Sequence, residues 1–332
     1  STLSIADSVA LAIETPMGVV FHTGDFKIDY TPIEGDSIDL SRIAEIGKKG
    51  VLLLMADSTN VERPGYTMSE RTVGETFDNV FRGAKGRIIV ASFASNIHRI
   101  QQIVNSAIKY GRKVALVGRS MLNVAHTATK LGYLNFPEDS IVDIDRIKRL
   151  KPEQVVIITT GSQGEPMAAL ARIAASSHKK VEIIPGDLVI ISANPIPGNE
   201  KFIYRVIDDL FKLGADVIYD SLADIHVSGH AKQEELKLIH RLLKPKFFMP
   251  VHGEYRMLKK HAKLAMNLGM DGSNIFIMEN GKVLELTSKS AKINGNVQSG
   301  SIMVDGLGVG DVGDVVLRDR KILSEDGLMI IV

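Results

Sequence analysis

The middle of the chain alternates between short apolar runs and longer segments with helical spacing, and this alternation restricts the fold more than any other feature. The predicted strands are residues 87–91, 113–117, 154–159, 181–191 and 216–219, and the predicted helices are 95–110, 121–131, 167–175 and one that ends at 213. A strand-then-helix rhythm of this kind indicates a parallel, doubly wound sheet. Open sheets of this class place their chemistry at the carboxyl ends of their strands.

The segments on either side of this block are predicted to contain further strands and helices. A hairpin turned at residues 16–18 opens the chain, and apolar runs at 51–55 and 247–251 are predicted to be buried strands. Short helices are predicted at 41–49 and 255–268, and a later hairpin is predicted around the Asn-Gly turn at 280–281. The Glu-Arg-Pro-Gly break at 62–65 predicts a domain boundary.

Three histidines and two aspartates follow predicted strands or mark tight corners. His226 and His230 flank a Ser-Gly pair, and His252 ends the apolar run 247–251 and precedes a glycine. Asp25 and Asp57 lie just past the ends of strands. A single histidine is more often structural, and an acid after a strand is equally typical of a turn. Together, however, these residues predict a set of His and Asp ligands at strand ends that suits a hard or borderline cation.

The loop formed by Gly161, Ser162, Gln163 and Gly164 precedes a predicted helix. Backbone N–H groups at such a turn favour a phosphate, although the sequence matches neither of the well-known phosphate-binding fingerprints. An ordinary strand-to-helix turn explains the same residues equally well, and both interpretations stay open.

The chain contains no cysteine among its 332 residues, which excludes disulfides and thiolate metal sites and fits a cytoplasmic protein. Any metal must therefore be bound by His, Asp and Glu. The formal net charge is +1, so contact with nucleic acid has to depend on a local patch. No apolar run approaches the length of a membrane span, and the first residues lack the features of a secretory signal. A metal site beside phosphate-binding loops predicts phosphoester hydrolysis by an activated water.

Nine short motifs resemble the ribonuclease J family, which joins a metallo-β-lactamase domain to an inserted β-CASP domain. They are HTGDFK at 22–27, DSTN at 57–60, FASN at 93–96, GRS at 118–120, TGSQGEPMAAL at 160–170, PIPGNE at 195–200, HVSGH at 226–230, PVHGEYRML at 250–258 and VDGLGVGDVGD at 304–314. The resemblance implies an α/β fold: a partial metallo-β-lactamase αββα sandwich at 1–65 and 233–332, with a doubly wound β-CASP domain at 66–232.

The resemblance also implies residue roles. Asp25 matches an aspartate that bridges two Zn²⁺ ions, and His252 matches a histidine ligand of one of them. Asp57 matches the acid that orients the active-site histidines, and His230 matches the histidine that protonates the leaving oxygen.

The same comparison implies a phosphate-binding role for further residues, with a preference for 5′-monophosphate RNA ends. They are His226, Ser228, Gly161, Ser162, Gln163 and Gly164.

The chain departs from the family pattern at two places. The family motif H-x-H-x-D-H is absent, and Leu3 stands where the family has a further zinc histidine. The family's C-terminal domain has no counterpart here either. These departures predict a segment of a longer protein with an incomplete set of zinc ligands.

Two functions compete at this point. One is a zinc-dependent ribonuclease with 5′-to-3′ exonuclease and endonuclease activity in RNA processing and decay. The other is a catalytically silent RNA-binding or assembly paralogue, or an inactive fragment. A lactamase or thioesterase acting on small molecules is a third, weaker interpretation. The family further implies RNA as partner and a homo-oligomer, or a hetero-oligomer with a paralogue, without membrane association. Retention of Asp25, Asp57, His230 and His252 favours the active ribonuclease.

Overall fold

A computed structural model describes residues 7–33, 35–137, 139–165, 167–193, 195–196, 198–219, 225–302, 304–305, 308–309 and 319. Position 3 and most of the motif at 304–314 lie outside these residues. The chain divides into two compact units, Ser1–Ile277 and Met278–Val332. Among the described residues, no helix is both long enough and apolar enough to cross a bilayer.

The larger unit alternates strands and helices. Its strands are β1 Leu11–Thr15, β2 Gly18–His22, β3 Val51–Asp57, β4 Ile88–Ala91, β5 Lys113–Val117, β6 Val155–Thr159, β7 Leu188–Ile191, β8 Asp216–Ile218 and β9 Phe247–Val251. Its α-helices are α1 Leu40–Lys49, α2 Arg71–Gly83, α3 Ile97–Lys109, α4 Arg119–Lys130, α5 Ala169–Ala174, α6 Glu200–Lys212, α7 Gln233–Leu243 and α8 Tyr255–Asn267. The 3₁₀ turns Ile144–Arg149 and Pro152–Gln154 precede β6.

The first sheet has the strand order β1-β2-β3-β9. β1 and β2 form the predicted antiparallel hairpin, whereas β2, β3 and β9 run parallel. Apolar side chains of α1, α7 and α8 share one core with this sheet, including Ile43, Leu236, Phe248 and Ala265. The helices therefore cover one face and leave the carboxyl ends of β2, β3 and β9 at a common edge.

The second sheet has five parallel strands in the order β5-β6-β4-β7-β8. Its strands are apolar on both faces: in β4, Ile89 faces a core shared with α5 and α6, while Ile88 and Val90 face a core shared with α2, α3 and α4. Strands buried on both faces are typical of doubly wound sheets. The predicted α/β fold class is confirmed.

One predicted strand is wrong in extent. The run 181–191 forms a strand only over Leu188–Ile191, because Pro185 and Gly186 make a turn in which Gly186 has a φ of +87°. The Asp187 side chain accepts the Ile184 N–H at 2.9 Å and stabilises this turn.

The hairpin predicted around Asn280 and Gly281 is also different. Ile275 bridges to Phe248 of β9, and the Phe276 N–H donates to the Phe248 carbonyl at 2.8 Å. The segment before the Asn-Gly pair thus extends the first sheet instead of pairing with the segment after it.

The smaller unit contains antiparallel pairs. β10 (Lys282–Leu286) pairs with β11 (Ala291–Asn296), and the turn between them includes a Thr287 N–H bond to the Ser290 carbonyl at 2.8 Å. The two-residue strands β12 (Val304–Asp305) and β13 (Gly308–Val309) pair with each other.

Candidate active site

Three site residues come together because parallel strands end in register. His22 lies opposite Met55, and Asp57 lies opposite Val251, so β2, β3 and β9 terminate at the same edge. Thr23 fixes this edge: its N–H donates to the Met55 carbonyl at 3.0 Å and its hydroxyl accepts the Asp57 N–H at 3.1 Å. Asp25, Asp57 and His252 are thereby delivered to one place.

Asp57 is the buried centre of the site, with only 2% of its surface exposed. One carboxylate oxygen is 2.6 Å from His230 Nδ1, and the other is 3.3 Å from His252 Nδ1 and accepts the Thr59 N–H at 2.9 Å. Burial alone would raise the pKa of the Asp57 carboxyl, but the hydrogen bonds from both histidines outweigh it and hold this pKa well below its usual range. Asp57 is therefore a stable anion that orients two imidazoles.

His252 occupies the left-handed region, with a φ of +54°. Such a backbone is costly for a residue with a side chain and is concentrated at functional sites. Nδ1 of His252 lies 2.9 Å from the Thr59 hydroxyl and 3.4 Å from Asp25 Oδ1. The hydrogen bond with Asp57, aided by the charge of Asp25, raises the pKa of His252 against the opposing effect of burial.

His230 is held by its backbone as well as its ring. Its carbonyl accepts hydrogen bonds from the Asn60 amide and the Thr67 hydroxyl, each at 2.9 Å. Its ring stacks on that of His252 with centroids 5.3 Å apart. Because Nδ1 is occupied by Asp57, Nε2 is the nitrogen left to meet a substrate.

Asp25, Asp57, His230 and His252 each offer one ligand atom within 4.8 Å of the others. Two carboxylates and two imidazoles suit a borderline cation such as Zn²⁺. Of these, Asp25 and His252 are the more exposed, whereas Asp57 is buried and already bonded to both rings. This is the only group of at least three such residues within the described part of the chain. It fits one ion, and a second would need ligands beyond these four.

His226 and Ser228 lie on the segment that leads to His230. Ser228 Oγ accepts the Asn60 amide at 2.7 Å and the His230 N–H at 3.2 Å, which ties this segment to the end of β3. His226 contacts Arg99 and is not one of the four possible metal ligands named above. Its Nδ1 lies 2.8 Å from a guanidinium nitrogen.

The loop from Gly161 to Gly164 packs against α6. Gln163 accepts the Ile196 N–H at 2.7 Å, and Ser162 and Gln163 are buried. A Cβ at Gly164 would stand 2.6 Å from the Phe202 carbonyl carbon, and the residue has a φ of +71°. The glycine is therefore needed for close packing whatever the loop binds.

The helix after this loop begins at Ala169 rather than 167 and has only six residues, so an N-terminal helix dipole adds little there. The predicted phosphate-binding role of the loop remains a prediction.

Two family models match parts of the chain. Residues 85–210 match the model described as "Ribonuclease J, beta-CASP domain". Residues 215–278, which include His226, Ser228, His230 and His252, match the "Zn-dependent metallo-hydrolase RNA specificity domain".

Curated proteins are similar over almost the whole chain. "Ribonuclease J 1" of Streptococcus pyogenes is 51% identical over 332 residues, which is 100% of this chain and 59% of the relative. "Ribonuclease J" of Thermus thermophilus is 48% identical over 330 residues (99% and 57%), and "Ribonuclease J2" of Bacillus subtilis is 47% identical over 329 residues (99% and 59%). The chain belongs to the ribonuclease J family. It spans a little under three fifths of the length of these ribonuclease J relatives.

Several residues of the site were not identified from the sequence. His252 is positioned by Thr59, and His230 is positioned by Asn60 and Thr67. Glu235 connects three chain segments by hydrogen bonds. The buried Glu235 carboxylate accepts the N–H groups of Ile28, Thr67 and Lys232 at 2.7–2.8 Å. The only sequence signal for Glu235 is a glutamate in the first turn of a helix, three residues after its N-cap.

Proposed function

We propose that this chain forms the catalytic part of a zinc-dependent ribonuclease that hydrolyses RNA phosphodiesters, acting both as a 5′-to-3′ exonuclease and as an endonuclease. The observation that carries the proposal is the convergence of Asp25, Asp57, His230 and His252 within 4.8 Å at the ends of three parallel strands and one adjoining segment. Family membership supports the choice of a phosphodiester in RNA as substrate.

Asp25 and His252 would bind the zinc, since their side chains are the exposed members of the group. When bound, a divalent cation acidifies water and polarises a phosphoryl oxygen. Asp57 would not bind the zinc itself. As a buried anion, it would fix the rotation of the imidazoles of His230 and His252. The pair of zinc ions implied by the family resemblance would draw further ligands from outside the described group.

His230 would protonate the leaving oxygen. Its Nδ1 faces Asp57 at 2.6 Å, so a proton on Nε2 points away from the carboxylate. Asp57 would hold the ring in the orientation needed for that transfer, as carboxylates do for catalytic histidines. The His230 side chain is 24% exposed, which leaves its Nε2 accessible to an RNA oxygen.

His226, Ser228 and the Gly161–Gly164 loop would receive phosphates of the RNA, including a 5′-monophosphate. A 5′-monophosphate carries more negative charge than a 5′-hydroxyl and is favoured by fixed hydrogen-bond donors. With a net charge of +1, the chain would depend on such local donors for RNA contact.

We assign the region 66–232 to the β-CASP domain and the flanks 1–65 and 233–332 to the metallo-β-lactamase domain. Assembly as a homo-oligomer, or with a paralogue, in the cytoplasm completes the proposal.

The deciding experiment compares the complete gene product with its Asp25→Asn variant. Each is given 5′-monophosphorylated and 5′-hydroxyl RNA, with zinc and after chelation. We expect zinc-dependent release of nucleotides from the 5′-phosphorylated RNA and a large loss in the variant. RNA binding without cleavage by the wild type in any divalent metal would establish the silent paralogue instead.

The isolated 332-residue chain provides a second test. Within this chain only Asp25 and His252 are proposed as zinc ligands, whereas a zinc site in a protein has three or four protein ligands. We therefore expect weak binding by equilibrium dialysis. Two tightly bound zinc ions per chain would contradict this assignment of ligands.

A further inference from the structure

A second cluster of charged side chains lies within the larger unit and shares no residue with the group Asp25, Asp57, His230 and His252. It contains Lys27, Asp29, Glu70 and Arg99, of which Lys27, Glu70 and Arg99 are buried. Lys27 Nζ is 3.5 Å from Asp29 and donates to the Met68 carbonyl at 3.2 Å. Burial lowers the pKa of Lys27, and the charges of Glu70 and Asp29 oppose that effect.

Arg99 is the centre of this cluster and is completely buried. Its Nη2 donates to both carboxylate oxygens of Glu70 at 2.6 and 2.8 Å, and its Nη1 is 3.2 Å from the carbonyl and the hydroxyl of Ser192. Asn96 caps α3 by accepting the Arg99 N–H at 3.1 Å, which fixes where the side chain starts. The guanidinium is thus held from two sides.

The remaining contact of Nη1 is with His226, whose Nδ1 lies 2.8 Å away. A guanidinium can only donate hydrogen bonds, so Nδ1 of His226 must accept. The ring hydrogen of a neutral His226 is consequently on Nε2. Burial and the positive charges of Arg99 and Lys27 lower the pKa of His226 to about 3, while the Ser192 carbonyl opposes them, so the ring stays neutral at physiological pH.

Fold stability alone does not account for this arrangement. A buried ion pair costs so much desolvation that replacing it with apolar residues is often neutral or stabilising. A fixed tautomer gives the pair a use, because the contact with Arg99 keeps the ring hydrogen of His226 on one nitrogen. The pair Arg99 and Glu70 specifies that tautomer.

We propose that Arg99, held by Glu70, is a positioning residue that fixes His226 as the neutral Nε2–H tautomer and so makes it a donor to an anionic phosphate. The identity of the anion as an RNA phosphate rests on the function proposed above. Orientation of the ring does not depend on it.

The tautomer is measured directly by ¹⁵N-detected correlations of the histidine rings in the complete gene product. We expect His226 to show a protonated Nε2 and an unprotonated Nδ1, with no titration between pH 5.5 and 8.5. A proton on Nδ1, or a titration within this range, would overturn the proposal. Inorganic phosphate is expected to shift the His226 Nε2 resonance; an unmoved resonance would exclude a donor role.

The functional test uses the double variant Arg99→Gln/Glu70→Gln, which removes both charges together. The Michaelis constant for 5′-monophosphorylated RNA is expected to rise about 10- to 100-fold, the cost of losing an oriented bond to a charged group. We expect turnover, and cleavage of 5′-hydroxyl RNA, to change little. Equal losses on both RNAs would show that the pair is merely structural.

The matched control is Arg82→Gln/Asp78→Asn. It removes an ion pair of 3.1 Å between two residues of α2, of which Arg82 is well exposed. Cleavage of both RNAs by this variant should be unchanged. If the buried double variant fails to fold, Glu70→Gln alone serves, because it loosens Arg99 without removing the donor to His226. A wild type that cleaves no RNA would refute the proposed function but leave the tautomer and phosphate measurements decisive.

Discussion

Two pairs of histidines near β9 have opposite environments. His230 and His252 stand beside Asp57 at an accessible sheet edge. His240 and His261 are enclosed beneath it, both packed edge-on against Phe248, with their Nε2 atoms 3.3 Å apart. Hydrogen bonding to Asp57 raises the pKa of His252, whereas burial lowers the pKa of His240 to about 4 and that of His261 even more clearly.

The difference shows that the neighbouring groups, and not the residue type, decide what each imidazole does. The accessible pair has carboxylate neighbours, Asp57 beside both rings and Asp25 beside His252. The enclosed pair has apolar neighbours and one hydroxyl, that of Ser58, at 2.9 Å from His261 Nδ1. The first pair suits catalysis, and the second supports the strand that carries His252.

Asp57→Asn is expected to have the largest effect, because it removes the feature that distinguishes the accessible pair. The amide would leave His230 without an anionic partner, and a comparable change in a catalytic triad costs ~10⁴ in rate. We expect a similar loss of RNA cleavage and a lower pKa for His252, measured by NMR titration. An unchanged pKa of His252 would contradict the conclusion that Asp57 distinguishes the accessible pair from the enclosed pair.

His230→Ala should reduce turnover at least about 100-fold, since general acid catalysis contributes ~10²–10⁴ in rate. RNA affinity should change far less, and single-turnover kinetics with a binding assay separate the two. The matched control is His126→Asn, which alters an exposed histidine on α4. A loss of affinity with unchanged turnover would make His230 a phosphate-binding residue.

The enclosed pair should make folding stability depend on pH. The folded pKa of His240, about 4, lies below its unfolded value of about 6.5, so the unfolded state binds the proton more readily. Its contribution is complete above pH 6.5 and is lost as the pH falls toward 4, amounting to about 3 kcal/mol. Urea unfolding from pH 7 to 4.5 measures this slope. His240→Asn should flatten the slope, and a slope identical to that of wild type would contradict the assignment.

Thr59→Val should give the smallest effect. It removes a hydroxyl 2.9 Å from His252 Nδ1 and 3.0 Å from the His252 carbonyl, at a cost of about 1 kcal/mol for one such bond. We expect zinc affinity to fall up to about 10-fold with turnover at saturating zinc preserved. Isothermal titration with zinc checks this, and a loss of more than about 1,000-fold would mean that Thr59 does more than orient the ring.

Local sequence patterns predicted the strands that deliver the site, because a strand's apolar run and the polar residue after it are adjacent in the chain. β9 was predicted with its observed bounds. Asp57 was predicted to lie just past a strand ending at residue 55, but it is the last residue of β3. Parallel strands ending at one edge then bring Asp25, Asp57 and His252 together. The helix α2 was not predicted, although its buried residues Val73, Phe77 and Phe81 have helical spacing.

The supporting contacts could not be predicted, because they join residues far apart in the chain. Arg99 and His226 are separated by 127 residues, and Asp57 and His230 by 173. A buried arginine has no local signature that distinguishes it from an exposed one. Only the family resemblance suggested that Asp57 orients histidines, and nothing in the sequence connected Arg99 or Glu235 with the site.

We propose that Asp25, Asp57, His230 and His252 form one zinc-dependent phosphodiesterase site. It is tested most directly by the zinc dependence of cleavage of 5′-monophosphorylated RNA by the complete gene product and its Asp57→Asn variant, assayed side by side with matched thermal stability. We predict zinc-dependent cleavage by the wild type and a loss of about 10⁴-fold in the variant. Cleavage that survives in Asp57→Asn at the wild-type rate, or that is indifferent to removal of the metal, would contradict the claim.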